Sequence, residues 1–357
     1  MSSKPIRVLH VCKGLGLGGT EKAMQLYVTH LDKSRFEILV LALGDGDRRK
    51  LIREAGVPVV VSADPYPILH QFKPHIVHIH RAGWPEPEFM RPFRLNPPEA
   101  IVETNVFGRF DDSPTGALID CHIFISHFCR KRYAALHHVN AVPPGYEVLY
   151  YPVETDLYES RSPVHRDFSQ PAFTRVSRPD PGKWSRIAME FFPLLLKEIP
   201  EARYRIVGMI PEAEAYFREQ EVMDRVEVHT PILTDEEVCD FHAESSLLAH
   251  GNDTGESFGL VIAEAMASGL PVVTHPAEGL RDNAQLELVD HGVTGLHAST
   301  AQDFAGAVAW LLNHPDEARK MGLAGQAKAR KLFRAQHIAR GLGAIYDGLL
   351  ADRAVRP

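Results

Sequence analysis

The segment Gly255-Glu-Ser-Phe-Gly-Leu-Val-Ile-Ala-Glu264 sets two carboxylates, Glu256 and Glu264, eight positions apart. Apart from Glu264, residues 260–267 are apolar nearly all the way round a helix expected near 257–268, and such a helix is buried. Glu264 stands in its middle. Burying a carboxylate without partners costs several kcal/mol, so it must be hydrogen-bonded. At about 1.5 Å of rise per residue the two acids would lie roughly 10–12 Å apart. That is the reach of a nucleotide sugar, with a helix N-terminus between them to receive a diphosphate. Residue chemistry alone also allows a plainer reading, in which Glu264 bonds a neighbouring loop and Glu256 only complements the helix dipole.

Gly14-Leu-Gly-Leu-Gly-Gly19 matches G-x-G-x-x-G between a strand and a helix. Glycines there let backbone N–H groups close on an anion. Asp45 follows the second strand, where a dinucleotide fold holds a ribose. Glycine-rich first turns also arise for steric reasons, so this signal supports an NAD(P)-dependent oxidoreductase only as an alternative. Asp45-Gly-Asp47 has the residue types of a metal loop but reads as a turn. In His75-Ile-Val-His-Ile-His80, His78 and His80 share one strand face and His75 takes the other. A metal site built from those three is awkward, and no metal is expected.

The elements that must position these groups alternate along the chain. Strands are expected at 6–12, 36–43, 57–61, 75–80, 100–104 and 122–126, with Thr20 capping a helix after the glycine loop. After a polar stretch broken by prolines the alternation restarts, with strands at 173–177, 204–208, 226–229, 246–250 and 271–274. Helices are expected near 184–198, 211–221, 235–244 and 257–268, and from 301 to 351. Strand–helix alternation implies parallel sheets covered on both faces. The fold class is therefore α/β, with two Rossmann-like doubly wound domains and a deep interdomain cleft as the ligand site. The divisions are 1–158 for an N-terminal domain, 159–171 for a linker, 172–335 for a C-terminal domain, and 336–357 for a helix crossing back to the N-terminal domain.

The 357 residues suit two domains, and 45% hydrophobic with 24% charged residues suits folded globular ones. The net charge of −7 argues against a general nucleic-acid binder. Lys and Arg balance Asp and Glu, 18 against 18, over residues 1–160 and fall short, 21 against 28, beyond them. An anionic ligand in the second half therefore needs locally placed cations or amides. Cys12, Cys121, Cys129 and Cys239 lack metal or disulfide spacing and read as buried reduced thiols. The N-terminus runs at once into a strand, and no apolar run approaches the ~18 residues of a membrane span, so a cytoplasmic location is expected.

Glu256, Ser257-Phe-Gly259 and Glu264, continuing into Ala265-Met-Ala-Ser-Gly-Leu-Pro-Val-Val273, match the E-x₇-E motif of retaining glycosyltransferases. The chain resembles family 4 glycosyltransferases of the GT-B fold over nearly its whole length. Gly18-Gly-Thr-Glu21, Ile76-Val-His-Ile-His80 and Phe124-Ile-Ser126 look like the acceptor-domain elements of that family. Ser177-Arg178 with Lys183 resembles its Arg-x₄-Lys element, and Leu286-Glu-Leu-Val-Asp-His-Gly-Val-Thr-Gly295 its late turn.

The resemblance implies sugar transfer from a nucleotide-diphosphate donor, UDP or GDP type, to an acceptor hydroxyl with retention, without a further cofactor. Arg178 and Lys183 would grip the diphosphate, Arg with paired planar donors and Lys with a compact charge. Glu264 would bind the ribose hydroxyls and Glu256 the donor sugar. The backbone at Ser257, Phe258 and Gly259 would hold the sugar, with Leu260 and Val261 next to the phosphate. Gly18 and Gly19 would close over the diphosphate, and His80 would lie by the reacting centre. Partners would be the nucleotide sugar and a glycan, lipid-linked or small-molecule acceptor, with no nucleic acid. The basic runs Arg48, Arg49, Lys50, Arg53 and Arg130, Lys131, Arg132 admit peripheral membrane contact. Asn105 and Tyr151 depart from the family pattern, and Asp282-Asn-Ala-Gln285 pads the late loop. A non-catalytic sugar-nucleotide or glycan-binding protein is the third reading.

Overall fold

The computed structural model describes residues 4–163, 166–279 and 281–355. They form two compact units, Met1–Pro152 with Ala335–Pro357, and Val153–Arg334.

In the first unit the strands are β1 (Ile6–Cys12), β2 (Phe36–Ala42), β3 (Val59–Val61), β4 (Ile76–Arg81), β5 (Ala100–Asn105), β6 (Cys121–Phe124) and β7 (Tyr146–Val148). They pair in parallel in the order β3-β2-β1-β4-β5-β6-β7. Helices α1 (Gly19–His30), α2 (Arg48–Glu54), α3 (Tyr66–Phe72), α4 (Pro87–Leu95) and α5 (His127–His137) make the crossovers. A strand covered on both faces must be apolar throughout, and β4 is buried at every position. His78 and His80 are therefore polar groups inside a central strand. Helix α1 starts at Gly19 after a Gly18 cap that offers no side chain, not at a Thr20 cap as expected. The Thr20 hydroxyl instead meets the Tyr151 hydroxyl at 3.2 Å.

The second unit opens with α6 (Thr155–Arg161) and continues through β8 (Ala172–Val176), α7 (Arg186–Glu198), β9 (Arg203–Val207), α8 (Pro211–Glu219), β10 (Val226–His229), α9 (Asp235–Ala243) and β11 (Leu248–His250). Then follow α10 (Leu260–Ala267), β12 (Val272–Thr274), α11 (Gln285–Leu288), β13 (Gly295–His297), α12 (Ala301–Asn313) and α13 (Pro315–Phe333). The parallel sheet runs β10-β9-β8-β11-β12-β13. Its core is aromatic, with Phe173, Phe191, Phe192, Tyr204 and Phe304 packed together. The stretch expected as a linker contributes α6 residues and the buried Phe168 to this unit, because an apolar ring there fills the core despite polar neighbours. Residues 164 and 165 lie outside the described residues.

Helix α14 (Ala335–Val355) belongs to the first unit and packs on α1. Its buried face carries Ile338, Leu342, Tyr346 and Leu349, at helical spacing. Leu342→Ala should cost about 3 kcal/mol by removing a fully buried side chain. Chemical denaturation followed by hydrogen exchange should place that loss in the first unit.

Candidate functional site

In a doubly wound sheet the ligand site lies beyond the carboxyl ends of the two strands where the order reverses. In the second unit those strands are β8 and β11. The loop after β8 carries Lys183 in a short 3₁₀ turn, Pro181–Lys183, and the loop after β11 carries Glu256. The Lys183 ammonium lies 3.1 and 3.2 Å from the two Glu256 carboxylate oxygens. Asn252 donates to the same carboxylate at 2.6 Å, and His250 Nε2 lies 3.2 Å from it.

These partners decide the charge of Glu256. Burial works to raise its pKa, but the hydrogen bond from His250 and the charge of Lys183 outweigh burial and hold the carboxyl at about 2. His250 is itself buried, and burial lowers its pKa despite the nearby carboxylate. It therefore acts as a neutral N–H donor, and Lys183 supplies the full charge.

Arg175, wholly buried in β8, ties the two loops together. Its guanidinium donates to the carbonyls of Gly251 (2.9 Å) and Lys183 and stacks 4.1 Å from the Trp184 ring centroid. Thr254 adds a bond to the Gly182 carbonyl at 3.0 Å. From the far side, Gln285 Oε1 accepts from the Glu256 amide at 3.0 Å, and Asp282 accepts from the Ser257 hydroxyl. Gly255 has φ +68°, and a side chain there would run into the Asp282 carbonyl. Residues 282–285 are thus a clamp on the Glu256 loop rather than padding.

Helix α10 begins at Leu260, later than expected, because its cap Gly259 takes φ +100°, which only glycine accepts easily. Helical rise therefore separates the two acids only from Leu260 onward. Glu264 is buried inside α10, and its charge, after burial, helps to raise the pKa of the nearby Tyr158. The Phe258 ring packs edge-on against Phe333. Leu260 and Val261 are half-buried in the first turn. Arg178 is not drawn into the Lys183–Glu256 pair. Its side chain is 67% exposed and approaches Asp180 at 3.7 Å.

The remaining expected residues lie in the first unit. Gly14 and Gly16 face open space, and Gly18 has an ordinary φ of −66° but sits against the Glu21 carboxylate, which a side chain there would displace. Asp45, which a dinucleotide reading assigns to ribose, accepts from the Gly46 amide and from Arg49 at 2.7 Å, as a turn acid does. Arg48 and Arg132 are buried, so the two basic runs are not wholly available to a membrane. Among the described residues no helix is long and apolar enough to cross one. Asn105 is buried and bonds the Arg109 backbone in both directions. All four cysteines are buried, and none forms a disulfide among the described residues.

His80 and His78 are joined by a third buried histidine, His10 of β1, with ring nitrogens of all three within 4.8 Å of one another. A metal would need their in-plane lone pairs to converge. The His78 and His80 rings instead stack, with centroids 4.3 Å apart and planes at 27°. Their nitrogens are engaged in hydrogen bonds to His10, Tyr346 and Thr104, with one exception, His80 Nδ1. Sequence reading missed His10 and Tyr346, and in the second unit Arg175, His250, Asn252 and Gln285. For His10, Arg175 and His250 the available signal was a polar residue within a strand; Tyr346, Asn252 and Gln285 lie outside the strands.

Residues 170–314 match the family described as glycosyl transferases group 1. The second unit is a group 1 glycosyltransferase domain. Over 177 residues, 47% of its length, the chain is 29% identical to a trehalose synthase of Pyrococcus horikoshii, and the match spans only 41% of that protein. A GDP-mannose-dependent alpha-(1-6)-phosphatidylinositol monomannoside mannosyltransferase of Mycobacterium tuberculosis is 28% identical over 300 residues, 78% of this chain and 69% of its own. In fold the chain resembles Anabaena HepE, solved with UDP and glucose (TM-score 0.77, 18% identity, 96% of this chain and 99% of that one). A Rickettsia africae glycosyltransferase superposes with TM-score 0.78 at 14% identity, over 98% and 99% of the chains. These two GT-B structures share the paired parallel-sheet α/β units of the group 1 glycosyltransferase domain's chain.

The Glu256 pKa makes a signed prediction. A carboxyl held at about 2 against an ordinary 4.5 contributes stability that is complete above about pH 4.5 and is lost as pH falls through 2. Lys183→Met should move the onset of that loss to higher pH, by removing the charge that outweighs burial. Equilibrium unfolding between pH 2 and 6 checks it, with the two proteins converging at the acid end.

Proposed function

We propose that the protein transfers a sugar from a nucleotide-diphosphate donor to an acceptor hydroxyl with retention at the anomeric carbon. The observation that carries this reading is the ion pair of Lys183 with a mostly buried, ionised Glu256 at the β8/β11 crossover of a group 1 domain. When a donor binds, Lys183 turns toward the diphosphate, joined by the exposed Arg178, and together they offset the charge of the leaving group. Glu256, held by His250 and Asn252, accepts hydrogen bonds from hydroxyls of the donor sugar. Glu264 accepts from the ribose, and the amides from Ser257 to Val261 hold the sugar and the adjoining phosphate. In the first unit, Gly18 and Gly19 offer amides to the diphosphate, and His80 takes a hydroxyl of a substrate sugar. The names of similar proteins, one GDP-mannose-dependent and one solved with UDP and glucose, support a UDP or GDP sugar.

Retention follows from substitution on one face. The bond from the anomeric carbon to the leaving phosphate oxygen breaks, the acceptor oxygen bonds the same face, and its proton passes to the departing phosphate. The alternative uses an enzyme carboxylate as nucleophile. Glu256 suits that poorly, since a carboxylate with a pKa of about 2 and three donors upon it is a weak nucleophile.

Incubation with UDP- and GDP-sugars and an acceptor panel, read by anomer-resolved NMR, tests the proposal. Transfer with retained configuration is expected. Glu256→Ala should lower kcat/KM by about 100-fold or more. Full turnover in that variant, or an inverted product, contradicts the assignment.

A further inference from the structure

We propose that His80 works through Nδ1 as a hydrogen-bond acceptor for a substrate hydroxyl, and that a one-way chain through His10, Tyr346, His78 and Thr104 sets its tautomer. The inference rests on the reading above, in which His80 meets a sugar hydroxyl.

Four contacts link the five side chains. His80 Nε2 lies 3.0 Å from His10 Nδ1, and His10 Nε2 lies 3.3 Å from the Tyr346 hydroxyl. That hydroxyl is 2.6 Å from His78 Nδ1, and His78 Nε2 is 2.8 Å from Thr104 Oγ1. All five residues are buried. Burial lowers the pKa of each histidine, His80 to about 3, so the three imidazoles are neutral. A neutral imidazole has one N–H and one lone pair. Each inner member must then donate once and accept once, and the direction of one link fixes all the others.

Two observations choose the same direction. Hydroxyl-donated bonds are shorter than N–H-donated ones. The Tyr346 oxygen is 2.6 Å from His78 and 3.3 Å from His10, so it donates to His78 and accepts from His10. Separately, His80 Nδ1 is covered and has no partner among the described residues. An orphaned lone pair is tolerated in protein interiors more readily than an orphaned N–H. Both place the His80 proton on Nε2, donating to His10, and leave Nδ1 as a lone pair. The hydrogen bonds then run His80 to His10 to Tyr346 to His78 to Thr104, and His10, Tyr346, His78 and Thr104 are positioning residues. A hydroxyl that reaches Nδ1 must donate to it.

The far end of the chain supplies the test. Thr104→Val keeps shape and removes the acceptor for His78 Nε2–H. That stranded N–H is relieved when the chain reverses, because the far end opens on the substrate: with donor bound, the His78 proton moves to Nδ1, Tyr346 turns its hydroxyl to His10, and His80 ends with its proton on Nδ1, donated to a substrate oxygen. Long-range ¹H–¹⁵N NMR of the full chain with donor bound should show the Nε2–H tautomer of His80 in the wild type and in Thr104→Ser, and the Nδ1–H tautomer in Thr104→Val. Transferase kcat should fall about tenfold in Thr104→Val with donor KM held, and recover in Thr104→Ser. An Nδ1–H tautomer in the wild type, or an unchanged one in Thr104→Val, overturns the chain. A switched tautomer with undiminished kcat overturns the working role of Nδ1. If the tautomer switches but the wild type transfers no sugar, the chain stands and the function reading fails.

Discussion

A carboxylate kept ionised while mostly buried is the constraint around which the second unit's loops are built. Moving such a charge out of water costs several kcal/mol unless partners replace the solvent. Glu256 receives them from three directions, Lys183 after β8 and His250 and Asn252 from the end of β11 and its loop. None of these is in place unless both loops hold their shape. That requirement explains Arg175, a guanidinium spent on two backbone carbonyls, and the clamp of Asp282 and Gln285. Lys183, on a flexible stem, can pass from Glu256 to an arriving diphosphate in the proposed reading, while His250 and Asn252 keep their hydrogen bonds to the carboxylate.

The first unit handles buried polarity in the opposite way. His10, His78 and His80 lie on β1 and β4, central strands that sterics and sheet pairing would otherwise fill with Val and Ile. They stay neutral and satisfy one another. Tyr346 closes the arrangement from α14, so the last helix of the chain supplies both apolar packing and a polar link. A half-satisfied network would cost more than an apolar core, which makes the single bare Nδ1 of His80 informative.

Much of this was legible from residue pattern. Strand–helix alternation is a local property, and it located β1, β2, β9 and β10 to within a residue or two because β-branched or aromatic residues recur through each. β7 and β13 escaped, while β3, β11 and β12, equally short, were found because apolar neighbours lengthen their pattern. Helix α10 began later than its hydrophobicity suggests because one backbone angle at Gly259 decides the start. Glu256, Glu264 and Lys183 stood out by motif. Their partners did not: Gln285 reaches Glu256 across 29 residues and Tyr346 reaches His78 across 268, distances at which no spacing rule operates. Arg178 and Lys183 look equivalent in sequence, yet one is exposed and the other paired, since only Lys183 lies in the turn that Arg175 holds.

The most direct measurement of the central claim is calorimetric titration of UDP or GDP and of the matching nucleotide sugar into the wild type and Glu256→Gln. If Glu256 reads the sugar as an ionised acceptor, the variant loses affinity for the nucleotide sugar by about tenfold or more while its affinity for the bare nucleotide diphosphate holds. Equal losses for both ligands, or none for either, would contradict the account.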